Sequence, residues 1–297
     1  MQYLESFQLP TQDQEYGYLL RLKRPLLTTY YPFNLFRHLE MPVLEFEPIT
    51  ILCGGNGSGK STILNTIAEK LNLRRSAVFN RTELFEDYAD LCRYRLCYGA
   101  AIPKGSRIIT SDDVFDYLLD IRNINNGIDN KRGELFQTYF DYRKIDNDDP
   151  QLRLQSLADY DRWREIADAR GSKKPRPSAY IRDRVMENIR EHSNGESALM
   201  VFTEEIRESA LYLLDEPENS LSAEYQEELK TFLIGSARSF ACQFIISTHS
   251  PILLSIPGAR IYDLDADPPC TKSWTELKNV RLLYDFFQEH TDEFKDR

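Results

Sequence analysis

The sequence predicts an α/β chain: a mainly parallel sheet, an antiparallel β part near the N-terminus, and a helical insertion. Three observations predict it. Apolar runs rich in β-formers, "ITILC", "ALYLLD", "CQFIIST" and "RIYDLD", alternate with stretches of helical spacing, and that alternation implies parallel strands joined by helices. The middle of the chain, from about 113 to 192, reads as a set of amphipathic helices. The 297 residues, 41% hydrophobic and 28% charged, suffice for one large domain or two small ones.

The elements follow in order. The first fifty residues read as strands, with "YGYLLRLKR" and "MPVLEFEPITILC" rich in β-formers. In residues 60 to 71, "KSTILNTIAEKL", the positions Ile63, Ile67 and Leu71 lie four apart, which is helical spacing. From 113 to 192 four segments read as amphipathic helices: "DDVFDYLLDIRN", "GELFQTYFDYRKI", "LQSLADYDRWREIADA" and "SAYIRDRVMENIREH". Their joints are "NNGIDNKRG", "DNDDP" and "RGSKKPRPS". After 210 come strand "ALYLLD", helix "AEYQEELKTFLI", strands "CQFIIST" and "RIYDLD", and a closing helix "SWTELKNVRLLYDFFQEH". The expected core is therefore 1–112 with 193–297, and the insertion is 113–192.

Composition narrows the function. A net charge of -10 and a pI of about 5.1 speak against a general polyanion binder. A local basic patch remains open, and the loop "RGSKKPRP" concentrates Arg170, Lys173, Lys174 and Arg176. So few charges fit a solvated loop better than a nucleic-acid contact. Cys53, Cys92, Cys97, Cys242 and Cys270 form no CxxC pair, which suits reduced thiols. With no apolar run of membrane-spanning length and no signal-peptide core, a soluble cytoplasmic chain without direct membrane insertion is expected.

The strongest motif is "GGNGSGKS", residues 54 to 61, placed between an apolar strand and a helix. This context is that of a P-loop. Gly54, Gly55, Asn56, Gly57, Ser58, Gly59, Lys60, Ser61 and Thr62 are the expected phosphate-binding set. The glycines let the backbone wrap phosphates, and N–H groups at a helix start attract negative charge. Lys60 is expected to reach the β- and γ-phosphates, and Ser61 to offer its hydroxyl to Mg²⁺. The strand "ALYLLD" ends in Asp215-Glu216. Carboxylates at the carboxyl end of a parallel strand face the ligand crevice. Asp215 fits a second Mg²⁺ ligand, and Glu216 a base that orients or deprotonates the attacking water. His249 follows the next strand, and strand alternation turns it away from Thr248 towards the crevice. The stretch "HSNGESAL" has the pattern of a capping box, Ser193 with Glu196, but a serine and a glycine at a helix start also suit a phosphate.

Phosphate loop, helical insertion, "SNGES", "LLDEPENSL" and "ISTHS" stand in an order that resembles the ABC-type ATPases. The resemblance is greatest to their non-transporter branch, with the SMC, RecF and overcoming-lysogenization-defect ATPases and stand-alone bacterial AAA-family ATPases. It implies ATP and Mg²⁺ as cofactors, and a homodimer that sandwiches ATP. Ser193 and Gly195 match the signature that meets the γ-phosphate held by the other subunit, Asp215 and Glu216 the acidic pair, and His249 the switch histidine. Ser222 stands where the family usually has an aspartate. No glutamine precedes the insertion where one is usual, and Ser111, Asp112 and Asp113 are the candidates to replace it. Tyr30, Tyr31 and Phe33 are candidates to stack on adenine. Pro175 and Pro177 interrupt the insertion, which lacks sustained heptads, so no long coiled-coil arm is expected.

The function expected from the resemblance is an ATP-binding, ATP-hydrolysing switch that dimerises on ATP. DNA maintenance and phage defence, with an effector partner from a neighbouring gene, are the settings it raises. The alternative is the ATPase subunit of a membrane transporter. The short signature and the large insertion count against that alternative.

Overall fold

The computed structural model describes residues 2–22, 29–37, 39–144, 164–166, 169, 181, 185–186, 194–206 and 209–295. Its described elements run β1 (Leu4–Gln8), α1 (Gln12–Arg21), β2 (Leu44–Glu45), β3 (Ile49–Cys53), α2 (Lys60–Lys70), α3 (Phe85–Leu91), β4 (Arg93–Leu96), β5 (Arg107–Thr110) and α4 (Ser111–Lys144). They continue with α5 (Asn194–Glu205), β6 (Leu211–Asp215), α6 (Ala223–Ser239), β7 (Gln243–Ser247), the short α7 (Pro251–Leu254), β8 (Arg260–Asp263), β9 (Cys270–Thr271) and α8 (Lys278–Glu289).

Two sheets organise the core. The larger has the order β5-β6-β7-β3-β8-β9 and is parallel except for the last pair. Its central strands β6, β7 and β3 are almost wholly buried, as continuous apolar runs covered on both faces must be. The smaller sheet is antiparallel, β2-β1-β4. The expected α/β class, with a mainly parallel sheet and an antiparallel N-terminal part, is what the chain forms.

Gln243 ties the two sheets together. Its side chain is fully buried on β7, yet its polar atoms are satisfied. Oε1 accepts from the backbone N–H groups of Tyr3 and Leu4 at 2.8 and 2.9 Å, and Nε2 donates to the Leu4 carbonyl at 2.8 Å. These bonds hold the first residues of β1 beside the parallel sheet.

Two sequence expectations are corrected. Most of "YGYLLRLKR" is helix, not strand: it lies in α1, started by a capping box in which Thr11 and Gln14 exchange bonds. Asp13 and Glu15 in its first turn and Arg21 in its last complement the helix dipole, and these end signals outweigh β-propensity. "DDVFDYLLDIRN" and "GELFQTYFDYRKI", the latter as far as Lys144, lie in one continuous 34-residue helix, α4, without the joint expected at "NNGIDNKRG". Gly127 and Gly133 weaken a helix by about 1 kcal/mol each without breaking it, since glycine keeps its N–H. The pairs Asp129–Arg132 and Lys131–Glu134 support the turns between them.

The chain separates into two compact units, Met1–Asp116 with Ser193–Arg297, and Tyr117–His192. Within the second, Tyr139, Ala169 and Ile181 form a small apolar cluster with Leu135, Tyr142 and Val185 packed on it. The rest of the two later helices expected there, and the basic loop of Arg170, Lys173, Lys174 and Arg176, lie outside the described residues.

Replacing Gln243 by Leu fills similar space but leaves the Tyr3 and Leu4 N–H groups buried without acceptors. At about 1–3 kcal/mol for each group so stranded, urea unfolding is expected to show a loss of about 3 kcal/mol or more. A change below about 1 kcal/mol would show that the two sheets are held together by other contacts.

Candidate nucleotide site

The site grows from the carboxyl ends of three neighbouring strands. Parallel register sets Asp215 of β6 opposite Ser247 of β7 and, on its other side, Thr110 of β5; Ser247 in turn faces Leu52 of β3. The loop that leaves β3 therefore meets Asp215 and Ser247 at one level.

That loop ends at Gly59, which has φ of +91° and begins α2 without a side-chain cap. A Cβ on Gly59 would lie 2.5 Å from the Phe36 ring. Backbone angle and space both demand glycine there. The first turn of α2 consequently presents uncapped N–H groups, the kind that receives anions. Lys60 is buried at 4% exposure, and its ammonium donates to the carbonyls of Gly54 and Gly55 at 2.8 and 3.1 Å. Ser58 Oγ is buried and has no hydrogen-bond partner among the described residues. An orphaned hydroxyl in a loop, beside a lysine held by loop carbonyls, fits an anionic guest.

The acidic pair faces this loop. Ser61 Oγ donates to Asp215 Oδ1 at 3.0 Å, and Ser247 Oγ donates to the same oxygen. Burial pushes the Asp215 carboxyl above the usual range, opposed by the Ser247 and Ser61 hydrogen bonds. Such a desolvated carboxylate beside a serine hydroxyl fits a hard divalent cation, since Mg²⁺ is held by one or two protein oxygens together with substrate phosphates. Among the described residues no group of three or more His, Cys, Asp or Glu has metal-binding geometry, and this pair does not need one. Glu216 adopts a left-handed backbone, φ +47° and ψ +54°. That conformation costs about 1–3 kcal/mol in a non-glycine residue. It is offset where the Glu216 N–H donates to both the carbonyl and the hydroxyl of Ser247, each at 3.0 Å. The turn places the Glu216 carboxylate 3.6 Å from Lys60 Nζ, while Asn219 donates to its other oxygen at 3.1 Å.

His249 is half exposed, and Thr248 beside it is fully buried. Both are gripped by Glu218, a buried carboxylate. Its Oε1 accepts from Thr248 Oγ1 at 2.6 Å and from the His249 backbone N–H at 2.9 Å, and His249 Nδ1 lies 3.5 Å away. Glu218 was not among the sequence candidates, although "DEPEN" places it beside the acidic pair. Ser247 was also missed, and aligning "LYLLD" with "QFIIS" as neighbouring parallel strands would have found it. Asp265 accepts from the Gly55 N–H through both oxygens, at 3.0 and 2.8 Å. Arg75 packs 3.9 Å over the Phe79 ring and donates to Asn65. No local sequence signal marks either.

Other candidates divide. Asp113 accepts from Ala77 N–H and from the Thr110 N–H and hydroxyl, so its carboxylate is committed to the start of α4. Ser111 and Asp112 remain for the missing glutamine. Phe33 is a core residue, stacked 5.0 Å from Tyr18 and edge-on to Tyr88, and cannot stack on adenine. Tyr31 bonds Thr62 through its hydroxyl at 2.9 Å, and Tyr30 is exposed. Ser222 caps α6, accepting from Tyr225 N–H at 3.4 Å. Ser193 lies outside the described residues. Gly195, at the start of α5, is described: a Cβ there would press to 2.7 Å from the Tyr225 ring. Close packing of α5 on α6 thus gives this glycine a reason within its own chain.

A family model described as "ABC transporter" matches residues 43–219, more than half of the chain. The chain belongs to the ABC transporter family. It is thus an ABC-type ATP-binding ATPase, as the motif order led one to expect. A second model, described as an AAA domain of an AbiEii toxin and a type IV toxin–antitoxin system, matches residues 188–255 and is consistent with the non-transporter branch of the ABC-type ATPases. No curated protein matches the chain. Among solved structures, the Smc head domain bound to the C-terminal domain of ScpA, from Pyrococcus furiosus, is 15% identical, with TM-score 0.44 over 96% of this chain and 100% of that one. A Smc head bound to the C-winged helix domain of ScpA is 15% identical, with TM-score 0.42 over 94% and 99%. The dimeric ATP-binding cassette MJ0796 with ADP and Pi is 13% identical, with TM-score 0.35 over 81% and 92%. Among the described residues of this ABC-type ATPase, no helix is long and apolar enough to cross a membrane.

The raised Asp215 carboxyl has a consequence for stability. A carboxyl raised above its unfolded value favours folding at low pH, and that contribution is lost as pH rises through the folded value. At pH 7 without nucleotide or Mg²⁺, Asp215→Asn is expected to melt above the parent. The difference should shrink as pH falls through the folded value, where the parent carboxyl takes up its proton. Scanning calorimetry across pH checks this; a variant melting below the parent at pH 7 would mean the charge is fully compensated.

Proposed function

We propose that this ABC-type ATPase binds Mg-ATP at its phosphate loop and hydrolyses it between two copies of the chain, as an ATP-dependent dimerisation switch. The observation that carries the proposal is the meeting of Lys60, Ser61, Asp215 and Glu216 at one level of the sheet, with Lys60 Nζ 3.6 Å from Glu216 and Ser61 Oγ 3.0 Å from Asp215. Gly54 to Thr62 receive the phosphates, and Lys60 turns from the loop carbonyls to the β- and γ-oxygens. Ser61 and Asp215 would hold Mg²⁺, which when bound offsets charge on the phosphates. Glu216 orients the attacking water and takes its proton, with Asn219 fixing the other carboxylate oxygen. His249, set by Glu218, reaches towards the γ-phosphate. Ser193 and Gly195 complete the site of the other copy, where the start of α5 suits an anion.

The reading extends to a switch in phage defence or DNA maintenance that acts through an effector protein. The toxin named in the second family model's description supports the defence setting. A membrane-transporter subunit is the second reading, favoured by the description of the matching family. It requires a separate membrane-spanning partner, and its turnover would rise only when the two are reconstituted together in vesicles.

The test uses the whole chain. The parent hydrolyses ATP slowly and only with Mg²⁺. Lys60→Ala weakens ATP binding about 10- to 100-fold, the worth of charge-assisted hydrogen bonds at about 1.5–3 kcal/mol. Glu216→Gln binds ATP but turns over about 10²–10⁴-fold more slowly. In Mg-ATP it elutes as a dimer by size-exclusion chromatography with light scattering, and Ser193→Arg added to it blocks that dimer while sparing ATP binding. Turnover of Glu216→Gln at the parent rate would remove Glu216 from the chemistry. Dimerisation of the double variant as readily as the single would reduce "SNGES" to a helix cap.

A further inference from the structure

Helix α8 lies outside the nucleotide site and shows an apolar face to solvent. Val280 is its one buried residue; Leu282, Tyr284, Phe286 and Phe287 are half or more exposed, and Phe294 just beyond it is 65% exposed. At 3.6 residues per turn, Leu282, Leu283, Phe286 and Phe287 share one stripe. Lys278, Arg281, Asp285 and Glu289 follow one another at three- and four-residue steps along one edge of that stripe. Among the described residues none of these four makes an ion pair.

The order of those charges is the informative point. Both cations stand in the N-terminal half and both acids in the C-terminal half. Each pair is opposed to the helix dipole, which favours acids at the start and bases at the end. A helix that is only solvated gains from this order at most the few tenths of a kcal/mol of the Arg281–Asp285 spacing, and that pair is not closed. Laid antiparallel on a copy of itself, it brings Lys278 to the copy's Glu289 and Arg281 to its Asp285. The same alignment sets Leu282 on the copy's Phe287 and Leu283 on its Phe286. Charge row and apolar row thus become self-complementary about nearly the same midpoint, as a two-fold contact requires.

We propose that α8 is a homotypic docking surface, pairing antiparallel with α8 of a second copy, independently of nucleotide. A twelve-residue helix buries well under the roughly 800 Å² per partner of a standard interface, which places the contact among weak, concentration-dependent ones.

Sedimentation velocity over a concentration series, on the whole chain with EDTA and no nucleotide, tests it separately from the ATP-driven dimer. The parent is expected to pass from monomer to dimer as concentration rises. Leu282→Ser with Phe286→Ser should abolish the dimer. Arg281→Glu should weaken it at least 10-fold, and Arg281→Glu combined with Asp285→Arg should restore it, because the reversed pair is complementary again. All four side chains are exposed, and circular dichroism with thermal melting confirms that each variant folds. A monomer at every concentration would overturn the proposal and assign the face to another macromolecule. A dimer indifferent to Leu282→Ser with Phe286→Ser would place the contact elsewhere, and failure of the charge swap to restore it would exclude antiparallel pairing.

Discussion

The shared register of β6, β7 and β3 is the constraint on which the site depends. Parallel neighbours pair residue by residue, so Asp215, Ser247 and the end of β3 come level because the strands start level. From that level the loop after β3 folds back over the acidic end of β6, and Ser61 reaches Asp215. A slip of one residue in β6 would turn Asp215 to the other face of the sheet. No loop rearrangement could restore its bond to Ser61.

Burial of charge at this edge is uncomfortable, and the structure answers it in two ways. Lys60 is satisfied by the loop's own carbonyls, which leaves its ammonium desolvated but bonded. Asp215 receives only two hydroxyl donors, too little to offset its desolvation, and its carboxyl stays raised. The first arrangement is complete without a guest; the second has capacity left for a cation. Glu216 stands between them on a strained turn held by Ser247. The same serine thus fixes the geometry of both acids.

Two short residues in this chain have local explanations that a motif reading does not supply. Gly195 is required by its closeness to Tyr225, quite apart from any contact with a partner's nucleotide. Ser222, where the family usually has an aspartate, provides the N-cap of α6. Serine serves the cap as well as aspartate would, without adding an anion beside Glu216 and Glu218.

The sequence by itself determined the α/β class, the strands β3, β6, β7 and β8, the helix after the phosphate loop, and the family. These were legible because each rests on local order: continuous apolar runs for buried strands, four-residue spacing for a helix, glycine pattern for the loop. Where local signals compete, reading failed. In "YGYLLRLKR" β-propensity lost to a capping box one turn upstream, and in α4 two glycines looked like a joint but lacked a residue that breaks a helix. Only the tertiary structure decided which distant residues meet. Glu218 and His249 are thirty-one positions apart, Gly55 and Asp265 more than two hundred, and Gln243 reaches across the chain to β1. Such contacts depend on strand order and register, which arise from burying every apolar face at once and leave no mark at short range.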